Sequence, residues 1–384
     1  MTDKAYVGAR IFDGEVWHDD SALVISGGKV NAIVPATALP DDAERLALEG
    51  GVLLPGFIDL QVNGGGGVML NDAPTVEGIS RICTAHARFG TTALLPTLIT
   101  DTPETTRATV EAGKQARRER VAGFLGLHLE GPHLSVARKG AHDPSLIRPM
   151  EEADLALLLS SAKDLGVLLT TVAPENVTEV QVRKLADAGI IVSLGHTESS
   201  FETAGVYEKA GARMVTHLFN AMSPLGHREP GLVGAALEST EVHCGLIADG
   251  IHVVAPSMSV ALRAKQGQGH IFIVTDAMSP IGTEVTSFTL NGREILRKDG
   301  RLTLADGTLA GADIDMLSSV LFVHEKLGLP LEEAVRMATV YPAQAVGISH
   351  KGGLLAGMDA DFVVLNGDLS MNATFIGGNC VHRQ

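Results

Sequence analysis

The sequence predicts an α/β protein in which a (β/α)8 TIM-like barrel carries a small β-sandwich domain built from both chain ends. Eight short apolar runs alternate with helical patterns through the middle of the chain, which is typical of parallel βα units. Both flanking regions contain alternating runs separated by glycine-rich turns, which indicates hairpins. With 384 residues, the chain is long enough for a barrel of about 250 residues and a second, smaller domain.

The two β-rich regions lie at opposite ends of the chain. The first contains AYVGARIFDG, ALVISGGKVNAIV and ALEGGVLLPG, and the same pattern returns in GGLLAGMDADFVVLNGD and ATFIGG. We therefore expect residues 1–54 and 345–384 to form one small β domain, and residues 55–344 to form the barrel.

The barrel is predicted strand by strand. Its candidates are GFIDLQV, TALLPT, FLGLHLE, VLLTTVA, IIVSLGH, RMVTHLF, HCGLIAD and IFIVTDA. After the eighth, TSFTLNGREILRKDGRLTLADGTLAG predicts hairpins at the rim, and DMLSSVLFVHEKLG and LEEAVRMATVYPAQAVG predict closing helices. An open doubly wound sheet is the rival architecture, but no GxGxxG leads from a strand into a helix, which disfavours its dinucleotide-binding version.

Charge and composition exclude several classes of protein. A net charge of −15 without a basic run argues against nucleic-acid binding, and an anionic substrate would need a locally basic pocket. No apolar run is long enough to span a bilayer, and the start lacks the pattern of a signal peptide. Cys83, Cys244 and Cys380 are odd in number and widely spaced, which fits reduced thiols. We therefore expect a cytoplasmic protein.

Four polar residues end separate apolar runs: Glu130 in HLEGPH, His196 in VSLGHT, His217 in MVTHLFN and Asp276 in IVTDAM. The active site of a (β/α)8 barrel lies at these strand ends. A glutamate and two histidines suit a hydrolytic zinc site that leaves one position open for water, and Asp276 is free to act as the acid/base. Alone, each would be read as a solvent-facing glutamate or a core histidine. Together they predict metal-assisted hydrolysis.

Gln61 and Asn63 lie where a His-x-His pair on the first barrel strand would complete a two-metal site. Neutral amides are poor zinc ligands compared with imidazole. We therefore expect one divalent metal ion per subunit, with zinc as the expected metal. Gln61 would hydrogen-bond the water at the metal or occupy the second position.

Eight segments carry a family resemblance: PGFIDLQVNGGGG, HLEGPH, KGAHDP, SLGHT, THLFNAM, GHREPG, ADGIHV and TDAM. In this order they resemble the motifs of the N-acetylglucosamine-6-phosphate deacetylases, a family of the amidohydrolase superfamily. The resemblance extends from Leu54 to GMDADFVVL near the other end of the chain. It implies hydrolysis of N-acetylglucosamine 6-phosphate to glucosamine 6-phosphate and acetate in amino-sugar catabolism or recycling.

The resemblance also assigns residues. It implies that Glu130, His196 and His217 bind the metal, that Asp276 is the acid/base, and that His142 in KGAHDP polarises the acetamide carbonyl. The residues implied to contact the phosphorylated N-acetyl amino sugar are Gln61, His142, Asn220, Ala221, Arg228 and His252.

The local sequence around Arg228, and not only the family resemblance, supports a role in binding phosphate. Its guanidinium could bind a phosphate with two hydrogen bonds, and His252 follows the seventh strand on the same barrel face. The resemblance implies a homodimer in which Arg228 reaches the active site of the neighbouring subunit. Two positions depart from the family pattern, Ala312 where many members carry serine and Met278 where others carry threonine, which leaves the fine substrate preference open.

Three alternatives remain to be weighed. N-Acetylgalactosamine 6-phosphate differs from the expected substrate at one sugar hydroxyl, and the sequence does not exclude it. A cyclic amidohydrolase of the dihydroorotase or hydantoinase kind would need a modified lysine at the end of the fourth strand, where this chain has Thr170 and Thr171. A catalytically inactive barrel that only binds partners is disfavoured by the complete set of four strand-end residues.

Overall fold

The computed structural model describes residues 3–39, 43–290 and 292–384. Residues 1, 2, 40–42 and 291 fall within the predicted domain ranges and lie outside the described residues. The first part of the chain forms seven short strands, as its alternating pattern predicts. They are β1 (Lys4–Val7), β2 (Arg10–Phe12), β3 (Trp17–His18), β4 (Ser21–Ser26), β5 (Lys29–Pro35), β6 (Glu44–Ala47) and β7 (Val52–Pro55).

The middle of the chain forms the predicted barrel. Its strands are β8 (Phe57–Val62), β9 (Gly64–Gly65), β10 (Val68–Met69), β11 (Thr91–Ile99), β12 (Gly126–Glu130), β13 (Val167–Val172), β14 (Ile191–Leu194), β15 (Ala212–Val215), β16 (His243–Ile247) and β17 (Ile271–Val274). All but the short β9–β10 pair lie in one eight-stranded parallel sheet in chain order from β8 to β17. The two edges of this sheet meet, since the Asp276 amide donates to the Gln61 carbonyl at 3.0 Å. The barrel is thereby closed.

Helices follow the barrel strands and pack outside them. They are α1 (Val76–Ala87), α2 (Pro103–Glu119), α3 (Glu152–Leu165), α4 (Glu179–Asp187), α5 (Phe201–Lys209), α6 (Gly231–Glu238) and α7 (Ala255–Ala264). Several begin at a hydroxyl cap: the side chains of Thr102, Thr178 and Ser200 each accept a hydrogen bond from a backbone N–H in the first turn. None of the helices within the described ranges is both long and apolar enough to cross a membrane.

The predicted rim hairpins follow β17. Strands β18 (Ser287–Leu290), β19 (Arg293–Lys298), β20 (Arg301–Thr303) and β21 (Leu309–Ala312) form an antiparallel sheet, called the rim insertion below. Its buried Ile295 and Leu302 belong to one apolar cluster with Ile99 and Met278 from the barrel. This packing holds the rim insertion at the mouth of the barrel, where the strands end.

The closing helices differ in one respect from the prediction. Helix α8 (Met316–Leu327) is as expected, but the second predicted helix is divided into α9 (Leu331–Ala338) and α10 (Val340–Ala345). The break lies at Thr339, whose φ of −135° is not helical. Pro342 explains it, because a proline lacks an N–H and its ring collides with the carbonyl of the residue four positions earlier.

Both chain ends join in one sandwich. The last strands are β22 (Phe362–Leu365), β23 (Met371–Ile376) and β24 (Asn379–Arg383). One sheet has the order β5-β4-β1-β6, and the other has the order β24-β23-β22-β7-β2-β3. Between them Tyr6 lies edge-on to Phe362 and Phe375, with ring centres 4.9 and 5.3 Å apart. The prediction of a β-rich domain built from both ends is therefore confirmed.

Candidate active site

Four strand-end side chains meet at the mouth of the barrel. Glu130 is the last residue of β12, and His196, His217 and Asp276 lie two residues beyond the ends of β14, β15 and β17. All four line one cavity of about 170 Å³. The structure thus brings together the residues that the sequence placed at separate strand ends.

The backbone turns three of these side chains into the cavity. His196, His217 and Asp276 have φ angles of 48°, 29° and 52°. L-amino acids rarely adopt this left-handed region, and each such residue costs on the order of 1–3 kcal/mol unless the surroundings enforce it. This turn of the backbone comes just after each strand and directs the side chain of the turning residue towards the barrel axis.

Glu130, His196 and His217 form a compact triangle of possible ligand atoms. Glu130 Oε1 lies 3.2 Å from His196 Nε2 and 3.1 Å from His217 Nε2, and the two nitrogens are 3.0 Å apart. Ligands about 2.0–2.2 Å from one tetrahedral ion lie about this far from one another. All three side chains are buried. The triangle therefore fits a divalent metal ion.

Electrostatics and hydrogen bonds prepare these atoms to bind a cation. Burial alone would raise the pKa of Glu130, but the two imidazoles beside it, those of His196 and His217, lower it well below its usual value, so the carboxylate is ionised. His196 Nδ1 lies 2.7 Å from the carbonyl oxygen of Arg138, which can only accept. The proton is therefore on Nδ1, and the lone pair of Nε2 faces the triangle. His217 Nδ1 has no hydrogen-bond partner among the described residues.

Two amides replace the second pair of ligands that a two-metal site would need. Gln61 Nε2 donates to Glu130 Oε1 at 3.1 Å and to Asp276 Oδ1 at 3.2 Å. Asn63 Nδ2 donates to the same Asp276 oxygen at 2.6 Å. Asn63 was predicted only to lack the character of a metal ligand, yet it makes the shortest of these contacts. The available signal was its position two residues after Gln61, directly beyond the end of β8, because alternate residues of an extended chain face the same side.

Asp276 has the properties of a general base. Burial, reinforced by the negative charge of Glu130, raises its pKa to about 6, which is near neutral pH. Its Oδ1 is occupied by the two amide donors, whereas Oδ2 accepts no hydrogen bond from any described residue. Oδ2 is therefore the oxygen free to take up a proton.

His142 approaches the site from the segment that follows β12. Its ring lies edge-on to that of His196, with centres 4.6 Å apart, and it lines the same cavity. Burial, together with the positive charge that His196 can carry, lowers the pKa of His142 to about 3, so the ring is neutral. A possible ligand atom of His142 also lies within 4.8 Å of those of Glu130 and His196. Proximity alone therefore does not decide whether it binds metal or substrate.

The predicted sugar-phosphate residues divide into two groups. Asn220, Ala221 and His252 line the cavity, and His252 Nδ1 lies 2.5 Å from Asp249 Oδ2. Arg228, by contrast, is exposed and is not among the described residues that line the cavity of its own chain. Gln61 lies behind Glu130 and Asp276, and only its contacts with them connect it to the cavity.

Comparison with known proteins places the chain in a family. Residues 52–381 match the model of the amidohydrolase family, and residues 5–53 match that of the NagA composite domain. The chain therefore belongs to the amidohydrolase family.

Its relatives in that family are deacetylases of phosphorylated amino sugars. The chain is 44% identical over 378 residues to the N-acetylgalactosamine-6-phosphate deacetylase of Shewanella sp. (strain ANA-3), which covers 98% of this chain and 95% of that protein. It is 37% identical over 365 residues to the N-acetylglucosamine-6-phosphate deacetylase of Haemophilus influenzae, with 94% of each chain covered. The crystal structure of N-acetylglucosamine-6-phosphate deacetylase from Pasteurella multocida superposes with a TM-score of 0.95 at 35% identity, covering 98% of this chain and 99% of that one.

Proposed function

We propose that this protein hydrolyses the acetamide of N-acetylglucosamine 6-phosphate to glucosamine 6-phosphate and acetate, in amino-sugar catabolism or recycling. The observation that carries the proposal is the buried triangle of Glu130, His196 and His217, which shares one cavity with Asp276. Relatives named as deacetylases of phosphorylated N-acetyl amino sugars support it over the full length of the chain.

We propose one zinc ion per subunit, bound by Glu130, His196 and His217. The two nitrogen donors and one carboxylate oxygen are a typical catalytic zinc set. When bound, such an ion lowers the pKa of a coordinated water and draws charge from a carbonyl oxygen. Gln61 and Asn63 support a single ion, because each turns its N–H group towards Asp276 and neutral amides are poor zinc ligands compared with imidazole.

The side chains of this protein would move the protons. Asp276 takes a proton from the attacking water on Oδ2 while its Oδ1 stays bound to Gln61 and Asn63. The same carboxyl then delivers that proton to the departing amine, because the pKa near 6 allows both steps close to neutral pH. His142 would donate a hydrogen bond to the acetamide oxygen, where negative charge develops.

A homodimer would complete the phosphate site. Asn220, Ala221 and His252 line the cavity, but the exposed Arg228 does not. We propose that Arg228 binds the phosphate in the active site of the neighbouring subunit.

N-Acetylgalactosamine 6-phosphate is the second candidate substrate. It is favoured by the 44% identity to a relative named for that reaction. The deciding experiment combines metal analysis with deacetylation assays on both 6-phosphosugars in parallel. Release of acetate from neither sugar by the metal-loaded protein would contradict the proposed function, and the ratio of the two kcat/KM values assigns the sugar. The cytoplasmic location remains part of the proposal and is supported by the widely spaced cysteines, two of which are buried as free thiols.

A further inference from the structure

A buried threonine lies behind His142. Thr100 directly follows β11 and is only 1% exposed. Its backbone N–H donates to His142 Nδ1 at 3.3 Å, and its hydroxyl oxygen lies 2.8 Å from the same nitrogen. Gly131 leaves space for the hydroxyl, because a Cβ at that position would lie 2.3 Å from Thr100 Oγ1. Both polar groups of Thr100 are therefore held against one nitrogen of the imidazole.

This contact determines which nitrogen of His142 carries the proton. A backbone N–H can only donate, so Nδ1 must present its lone pair to Thr100. The hydroxyl of Thr100 then donates to Nδ1 as well. With Nδ1 unprotonated, the ring carries its proton on Nε2, on the side away from Thr100.

The neighbouring His196 has the opposite arrangement. Its Nδ1 faces the Arg138 carbonyl, which accepts a hydrogen bond, whereas Nδ1 of His142 faces an amide, which donates one. The centres of the two rings are 4.6 Å apart, yet the rings adopt opposite tautomers, because a backbone carbonyl faces Nδ1 of one and a backbone N–H faces Nδ1 of the other. His196 offers a lone pair at Nε2, as a metal ligand must, and His142 offers an N–H.

We propose that Thr100 is a positioning residue that holds His142 in the Nε2–H tautomer, which keeps this imidazole out of the metal site and makes it a donor to the acetamide oxygen. The proposal rests on the deacetylase function for the acetamide, but the assignment of the tautomer does not. His142 lies close enough to Glu130 and His196 to bind the same cation. With a proton on Nε2, however, that nitrogen has no lone pair with which to bind a cation.

The direct test is nitrogen NMR of the metal-loaded protein with 15N-labelled histidine, assigned with a His142→Gln variant. We expect the signature of a protonated Nε2 and an unprotonated Nδ1 for His142, and the reverse for His196. A protonated Nδ1 in His142, or a metal-shifted Nε2, would overturn the proposal.

Variants at position 100 test the consequence for catalysis. Thr100→Val keeps the shape and the backbone N–H but removes the hydroxyl, the closer of the two groups at Nδ1, and should lower kcat about 3- to 10-fold, the worth of one hydrogen bond, with KM and metal content unchanged. Thr100→Ser retains the hydroxyl and should stay within about twofold of the original enzyme. Thr92→Val is the matched control, since Thr92 is a buried residue of β11, the strand that Thr100 follows, and its hydroxyl is 3.4 Å from the Phe57 carbonyl. It should leave kcat unchanged.

Two further readouts separate positioning from a general structural effect. An N-trifluoroacetyl analogue has a more reactive carbonyl, so Thr100→Val should slow it less than the N-acetyl sugar. In a His142→Gln background, Thr100→Val should cause no further loss. Equal losses in both backgrounds, or equal effects of Thr100→Val and Thr92→Val, would overturn the proposal.

If Thr100→Val does not fold, the tautomer measurement and Thr100→Ser decide. An enzyme that deacetylates neither sugar contradicts the proposed function alone, because the NMR result still tests the role of Thr100.

Discussion

Replacing Asp276 with asparagine should slow catalysis and at the same time stabilise the metal-free protein. The asparagine oxygen can still accept from Gln61 and Asn63, so the site should keep its shape and its metal. The base, however, is lost. Turnover should fall by a factor of about 10² to 10⁴, the usual worth of a positioned acid/base.

The gain in stability follows from the pKa of Asp276. Burial raises it to about 6 from a usual value of 3.8, so the folded protein binds this proton more tightly than the unfolded chain does. The ionised carboxylate therefore destabilises the folded protein. This destabilisation is absent below about pH 4 and is complete above about pH 6. At neutral pH this cost is about 3 kcal/mol at most. For a chain of this length it corresponds to a rise in Tm of about 4 °C in the asparagine variant.

The assay is thermal unfolding of the metal-free protein and its variant at pH 7.5 and at pH 4, together with turnover of the metal-loaded enzymes. Asp249→Asn is a control that should change the stability in the opposite direction. Burial would raise the pKa of Asp249, but hydrogen bonding from His252 lowers it overall, so removing that carboxylate should destabilise the protein at neutral pH. Near-normal turnover in Asp276→Asn would mean that another group moves the proton. A stability gain that persists at pH 4 would refute the burial argument.

Three other outcomes are expected. Purified protein should hold about one divalent ion per subunit, and two tightly bound ions would contradict the interpretation of Gln61 and Asn63. Arg228→Ala should raise KM for the 6-phosphosugar and reduce kcat/KM by about 2–3 kcal/mol, while the unphosphorylated sugar is almost unaffected. Equal losses on both sugars would assign Arg228 a structural role. Mixing and reassociating Arg228→Ala with Asp276→Asn chains should recover about a quarter of the original activity if each site borrows its arginine from the other subunit. No recovery would contradict a shared site.

The sequence predicted the barrel and its four strand-end residues because one physical rule connects them. Parallel strands of a barrel place their carboxyl ends on one face, so Glu130, His196, His217 and Asp276 had to meet once their strands were recognised. The break between α9 and α10 was not predicted, although Pro342 was a signal for it, because a proline disrupts a helix at a defined distance.

Other parts of the site left no readable signal. The partner of His196 is the backbone carbonyl of Arg138, and every residue has such a group, so only the folded chain reveals which one is used. Thr100 ends a strand like the four predicted residues, but a threonine there is unremarkable without His142 beside it. Arg228 is exposed and does not line the cavity of its own chain, so its proposed role in a neighbouring subunit stays a prediction that the folded chain does not test.

The shared sheet has a consequence for biosynthesis. Strand β7 leads directly into the barrel, and it is flanked by β2 on one side and by β22 on the other. While the ribosome is still making the barrel, β22 does not yet exist, so the hydrogen-bonding groups of Val52–Pro55 face an empty edge. An unpaired apolar edge invites pairing with the wrong chain. The nascent polypeptide therefore carries an aggregation hazard from the synthesis of β7 until the residues of β22 emerge, and shielding by a chaperone would matter most during that interval.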